Sequence, residues 1–555
     1  MNRGFEMPRP LSGRRRGRSL LALWALAAAG SAVAQAPAAP PTPPPAPANP
    51  PMAVAAPSPV FTIRGFQITG ENPLGEGESA RVLAPYLRAN ATIETLQQAT
   101  ASLEAVLRER GFGLHKVALP PQELGETVRL AIVKFTIGKV GIEGAQIYDE
   151  GNIRRTVPEL REGDSPNFRT MAIQTAIANE NPNKQVQVGL RESEEADKID
   201  ATITVKEAKP WTFGVSLSNA GSESSGEDRL TVTAGHTNLF NRDHQIQAAY
   251  TTSIEKSDDV KQIGLSYRAP LYELGGVVGA SYTRSDVIGN FGTFNSTGAG
   301  HTAGINYTHY LAPEGGRRSY VTVALDDKVF DAARINNLVV PGALDRRSRP
   351  ITFGYTARTE TDAAIWGYNA DLAFNTGSGD NNDLVSYRSE DPRIDTVHWK
   401  AVRGGAFYTA PVFQSWTWSV RGQYQFSPDV LISGEQFGLG GLGSVRGTTI
   451  ERPLSGDKGL FGSVELSTPE VVPGLRFLGF IDAGWLGNND ANGTSKPSSD
   501  RLASVGLGLR YASGIFAVTA DYGRLLVSSK VPLTVNSSSP QKGDDKFYVN
   551  LSVRF

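Results

Sequence analysis

The 555-residue chain has no cysteine. That excludes disulfide frameworks, thiolate metal sites and cysteine nucleophiles, and it suits an oxidising compartment where a stray thiol is a liability. Net charge is nearly absent too: 55 Lys and Arg stand against 56 Asp and Glu, leaving −1. No basic excess argues for nucleic acid. Long hydrophobic runs are also missing, because no segment reaches the ~20 apolar residues of a spanning helix. Any membrane structure must therefore be built from strands. Histidine is scarce, and the six present (His115, His236, His244, His301, His309 and His398) are scattered without a carboxylate placed as a third ligand. They read as solvated or interfacial residues, and neither a metal nor another cofactor is expected.

The chain opens on an export signal. Arg14, Arg15, Arg16 and Arg18 form a basic start, residues 19–30 (SLLALWALAAAG) a short apolar core, and Ala32, Val33 and Ala34 the small residues before a cut near Ala34. Residues 1–34 are thus a signal peptide. Residues 35–59 are a linker, and its stretch from 36 onwards is nearly half proline, which favours a stiff polyproline spacer over packed structure.

Order begins at Val60. Residues 60–134 read as strand, helix, helix, strand, strand. Phe61, Ile63, Phe66 and Ile68 mark the first strand. Ile93, Leu96, Ala99, Leu103 and Leu107 repeat at helical spacing up to Gly111. Residues 114–119 and 128–133 are the closing strands. Residues 135–208 repeat the same order, with helices over 151–157 and 168–179 and strands over 135–142, 185–191 and 199–206. These are two small α+β modules.

After Pro210-Trp211 the texture changes and stays changed. Phe516, Val518, Ala520 and Tyr522 alternate with Ala517, Thr519 and Asp521. Val505, Leu507, Leu509 and Tyr511 alternate with Gly506, Gly508 and Arg510. The last segment sets Phe547, Val549, Leu551, Val553 and Phe555 against Tyr548, Asn550, Ser552 and Arg554. Apolar-out, polar-in segments of about ten residues between turn clusters are the signature of a transmembrane barrel. Residues 210–555 are read as that barrel.

One stretch inside it stands apart, 438–465 (GLGGLGSVRGTTIERPLSGDKGLFGSVE). Its glycines let the backbone fold tightly, and Val445, Arg446 and Gly447 sit at its centre. In the next strand Ile481 and Ala483 alternate with Asp482. If the first two face lipid, Asp482 enters the lumen, where a carboxylate needs a cation or donors.

These residues resemble a family. Gly443-Ser444-Val445-Arg446-Gly447, Leu454-Ser455-Gly456-Asp457 and Phe480-Ile481-Asp482-Ala483-Gly484 look like the signature motifs of two-partner secretion outer-membrane transporters, the TpsB family of the POTRA-barrel superfamily. Leu119-Pro120-Pro121-Gln122 is similar to the first POTRA module, and residues 238–243 (NLFNRD) to an early barrel turn. The resemblance implies two periplasmic POTRA domains and a 16-stranded barrel, at roughly 22 residues per strand and loop. It implies a loop, 438–458, folded into the lumen, with Arg446 paired to Asp482 and lumenal support from Asp457 and Glu465. It also implies carriage of an unfolded, β-rich TpsA-like exoprotein through the outer membrane. Family members often carry an N-terminal plug helix. The proline-dense segment here cannot form one, so either the plug is absent or the returning loop alone closes the lumen.

Two further readings come from the residues. The strand over 114–119 (Leu114, His115, Lys116, Val117, Ala118, Leu119) is expected at a sheet edge, where it offers backbone groups to cargo, unless the second module covers it. Phe555 ends an apolar-out strand with Phe547 at its far end, a pattern that resembles the terminal recognition signal of outer-membrane barrels and implies insertion into the lipid bilayer by the outer-membrane barrel assembly machinery. An assembly factor of the same superfamily and a barrel-embedded hydrolase are the rival functions. No Ser, His and carboxylate grouping supports the hydrolase, and the chain is read as a transporter, not an enzyme.

Overall fold

The computed structural model describes residues 60–555 except 124, 292, 336, 337 and 414. The export signal, the linker and the question of a plug lie outside the described residues. The first module runs β1 (Gly65–Thr69), α1 (Gly75–Leu83), α2 (Ile93–Glu109), β2 (His115–Ala118) and β3 (Thr127–Lys134). Thr92 starts α2 through a reciprocal capping box with Thr95, and a residue at positive φ, Gly111, follows its end. Leu96, Ala99, Leu103 and Leu107 fall on one face and are fully buried against Val128, Leu130 and Ile132 of β3. Truncating Leu103 to Ala would cost about 2–5 kcal/mol. The first helix, α1, gives way to a 3-10 turn, Ala84–Tyr86, because Pro85 has no N–H to continue it.

The second module repeats the order with β4 (Thr136–Glu143), α3 (Glu150–Thr156), α4 (Phe168–Ala178), β5 (Lys184–Glu192) and β6 (Lys198–Glu207). Both sheets put the last strand in the middle: the orders are β1-β3-β2 and β4-β6-β5, with the first strand parallel to the last. The strand after the second helix, β2 or β5, is therefore an edge in each module.

The barrel follows as sixteen long antiparallel strands: β7 (Trp211–Ser218), β8 (Arg229–Leu239), β9 (His244–Thr252), β10 (Lys261–Leu271), β11 (Gly276–Ser285), β12 (Gly300–Tyr310), β13 (Arg317–Phe330), β14 (Pro350–Glu360), β15 (Ile365–Asn375), β16 (Lys400–Val412), β17 (Trp416–Phe426), β18 (Lys458–Ser467), β19 (Leu475–Gly487), β20 (Ser499–Ser513), β21 (Phe516–Leu525) and β22 (Asp545–Arg554). A short segment, Arg346–Ser348, prolongs β14 along β13. Closure comes from β22 against β7, with Leu551 opposite Leu217 and Arg554 opposite Gly214. Alternation sorts the residues: Ile305, Ile481 and Leu507 are exposed on the outside, whereas Ser463, Asp482 and Ser504 are buried inside. No helix among the described residues is long and apolar enough to cross a membrane.

Tyr272 and Val277 around the β10–β11 turn and Tyr310 at the end of β12 pack into the core of the second module. The β17–β18 connection, 427–457, starts from the opposite rim and turns inward. It enters earlier than the expected 438, since Leu431, Ile432 and Glu435 are already buried.

Candidate functional site: the loop clasp in the barrel lumen

The returning loop carries a two-stranded hairpin, Phe437–Leu439 against Leu454–Gly456. At its tip Val445 is fully buried with Leu439, Phe461, Leu486, Leu502 and Leu525, which wedges the loop against the wall. Gly447 has φ +109°, and a Cβ there would lie 2.9 Å from the carbonyl oxygen of Gly523 on β21. A Cβ at Gly523 would in turn lie 3.0 Å from that of Arg446. Loop and wall thus meet backbone to backbone, which only glycine permits.

This approach delivers Arg446, 2% exposed, to a lumenal cluster of acids. Its Nε and Nη2 donate to Oδ2 and Oδ1 of Asp482, each at 2.8 Å, and its backbone N–H donates to Oδ2 at 3.2 Å. Nη2 also donates to Oγ of Ser463 at 3.2 Å. Nη1 lies 2.8 Å from Oε1 of Glu465 and 3.8 Å from Oδ1 of Asp521. The guanidinium carbon stands 3.4 Å over the centre of the Phe480 ring. The two-pronged bond uses the planar fork that lysine lacks, and the aromatic face adds cation–π attraction. A buried charge of this kind is tolerable because carboxylates surround it and Nε and Nη2 are hydrogen-bonded.

The sequence-predicted residues do not all meet. Val445, Arg446, Gly447, Glu465 and Asp482 come together. Asp457 does not: its Oδ1 accepts from the N–H of Leu431 at 2.9 Å and from Nε2 of Gln436 at 3.2 Å, and its Oδ2 from the N–H of Asn489 at 2.9 Å. It ties the loop base to the β19–β20 connection instead of supporting Arg446. Asp482 shares the cluster with the expected Glu465 and with Asp521, which the sequence reading did not single out. Tyr548 was missed as well. Its hydroxyl accepts from the N–H of Gly447 at 3.2 Å and donates to the carbonyl of Thr448 at 2.9 Å, linking the loop tip to the terminal strand. Asp521 and Tyr548 both lie on the polar register of their strands, the signal that marks them.

In the first module β2 is an edge strand, but its residues differ in access. Leu114 packs against the second module's core, and His115 is buried. The N–H of Val117 points away from β3 and meets Oε2 of Glu104 at 3.5 Å, while Lys116 pairs with Glu104 at 2.7 Å. Phe547 and Phe555 are exposed on the outer face. The N–H of Phe555 donates to the carbonyl of Phe213 at 2.8 Å, and the N–H of Phe213 donates back at 3.2 Å, so the last residue helps close the seam.

The chain matches the family model described as haemolysin secretion/activation protein ShlB/FhaC/HecB over residues 197–511, and the ShlB-type POTRA domain over residues 61–134. The outer membrane transporter CdiB of Dickeya dadantii (strain 3937) is 24% identical over 460 residues, spanning 80% of this chain and 79% of that protein. The heme/hemopexin transporter protein HuxB of Haemophilus influenzae is 21% identical over 468 residues, 81% of this chain and 80% of that one. The fold superposes on the structure of CdiB from Escherichia coli with a TM-score of 0.72 at 20% identity, over 91% of this chain and 93% of that one. The family match alone spans more than half of the sequence, and the chain belongs to the ShlB/FhaC/HecB haemolysin secretion/activation family: an outer-membrane transporter, not an enzyme, with its POTRA region in the periplasm.

Proposed function

We propose that this transporter takes an unfolded, β-rich exoprotein from the periplasm through its POTRA domains and passes it out through the barrel lumen. The observation that carries the reading is how the returning loop is held. Its tip is hung from the wall by side chains of Arg446 and Val445 and is not a member of the barrel's own ladder, so it can leave without opening the sheet. Water entering with the cargo can take over the hydrogen bonds of Arg446, which lowers the cost of release below that of a dry ion pair. Capture is assigned to the edge of β2 from Lys116 to Leu119, where an extended cargo segment displaces Glu104 from the N–H of Val117 and adds a strand. Folding of the cargo outside supplies the drive. The barrel itself reaches the bilayer through the assembly machinery, with Phe555 and Phe547 as its terminal signal.

The test is a gene deletion with comparison of cell-surface, supernatant and outer-membrane proteomes. Loss of one large secreted protein, restored by the wild-type gene, is expected. An unchanged secreted set with a general fall in other outer-membrane barrels would instead assign the chain to barrel assembly.

A further inference from the structure

The loop meets the wall at a second ionic contact, of opposite polarity and on different strands. Glu435, at the end of the 3-10 turn Ser433–Glu435, is 2% exposed. Its Oε1 lies 3.1 Å from Nζ of Lys328 on β13, and its Oε2 accepts from Nη2 of Arg403 on β16 at 2.8 Å. The same Nη2 donates to the Glu435 carbonyl at 2.9 Å. Gln425 on β17 completes the set: its Nε2 donates to that carbonyl at 3.0 Å, and its Oε1 accepts from Nε of Arg403 at 2.9 Å. Arg446 uses β18, β19 and β21, so the two sets of strands do not overlap.

The placement differs in depth as well. Lys328 is near the outer end of β13 and Arg403 near the outer end of β16, whereas Asp482 lies in the middle of β19. Just before Glu435, Val430, Leu431 and Ile432 are buried against Tyr387, Ile394 and Trp399 of the 376–399 connection. Glu435 therefore stands at the inner end of a lid over the outer mouth. A buried carboxylate is costly unless compensated, and apolar side chains in place of the whole set, Glu435 with Lys328 and Arg403, would hold the loop without loss of stability. What the charge adds is a bond that water can replace: Lys328 and Arg403 keep part of their side chains exposed and need not move when Glu435 leaves.

We propose that Glu435, with Lys328 and Arg403, is an outer latch of the pore, independent of Arg446, and that the loop clears the lumen only when both are released. This rests on the reading of the lumen as the conduit. A conductance measurement needs no cargo, so the two ideas fail separately.

Full-length protein in planar lipid bilayers provides the test, with heat-modifiable gel mobility showing that each barrel is folded. Glu435→Gln should raise the frequency of open events by about tenfold or more, the loss expected for a charge-assisted bond. Reversing the polarity, with Glu435→Lys, Lys328→Glu and Arg403→Glu together, should restore closure. Glu435→Gln and Arg446→Ala should multiply in open frequency, as independent anchors do. Unchanged conductance in folded Glu435→Gln, a reversed variant that stays open, or strong coupling to Arg446→Ala would overturn the latch. If Glu435→Gln does not fold, Lys328→Gln with Arg403→Gln tests the same contact from the wall, and failure of both to fold rejects a gating role. A cysteine cross-link that holds the loop to the wall and the pore closed, yet leaves secretion intact, would leave the latch standing and count against the conduit.

Discussion

Lys184 of the second module and Asp243 of the β8–β9 turn form a buried ion pair, Nζ to Oδ2 at 2.5 Å, with both side chains shut off from solvent. Oδ2 also accepts from the hydroxyl of Tyr272 at 2.8 Å, and Oδ1 from Nδ2 of Asn152 at 3.2 Å. Burial pulls the Lys184 ammonium below the usual lysine value, with Asp243 opposing the shift. The pair rivets the module to the barrel's periplasmic end. Lys184→Met should strand the carboxylate at a cost of about 3–5 kcal/mol, and Lys184→Met with Asp243→Leu should cost less. The absence of native cysteine makes paired spin labels simple to place. One narrow module-to-barrel distance is expected in the wild type and a broad distribution in Lys184→Met. A narrow distribution in the variant would show that apolar packing alone fixes the joint.

At the clasp the structure predicts unequal partners. Asp482→Ala leaves Arg446 with Glu465, whereas Arg446→Ala takes from Glu465, Asp482 and Asp521 the cation they share, although Arg510 still pairs with Asp521. Secretion should fall further in Arg446→Ala, and the double variant should be little worse than Arg446→Ala alone. Defects that simply multiply would mean that the two residues act separately.

Proline at position 117 tests cargo capture. The N–H it removes serves Glu104, not β3, so the sheet keeps its ladder. Val117→Pro should give normal amounts of folded transporter and little secreted protein. Normal secretion would remove the β2 edge as the capture site.

His115 gives the same module a pH response. Burial holds its imidazole below the ordinary value of 6.5, outweighing the attraction of Glu71, and its Nδ1 has no hydrogen-bond partner. Below pH 6.5 the unfolded chain binds the proton that the folded module resists, so stability present above that value is lost as pH falls through it. Hydrogen exchange in β2 of the full-length protein, corrected for the intrinsic rate, should quicken between pH 7.5 and about 5.5. The effect should vanish in His115→Gln.

Deleting Phe555 removes both hydrogen bonds with Phe213 along with the terminal aromatic ring. Outer-membrane levels of the variant should fall while secretion per inserted molecule holds. Unchanged levels would argue that Phe555 carries no insertion signal.

Much of this molecule is written locally. Periodicity of 3.6 in α2, the turn chemistry at Gly111 and the two-residue alternation of Val549, Leu551 and Val553 report side-chain direction within one segment, which physics settles over a few residues. Those features announced two α+β modules, a barrel, and an Arg446 and Asp482 suited to each other. The edge position of β2 followed from the order of elements. What the sequence could not determine is which distant strands stand side by side and at what height. Asp521 joins Arg446 only because β21 closes round to the lumen's acid cluster, and Asp457 misses it because its strand end lies at the rim. Lys184 finds Asp243 across 59 positions, and Glu435 finds Lys328 across 107. Such pairs share no local pattern; barrel closure and strand register bring them together, and both are properties of the whole sheet.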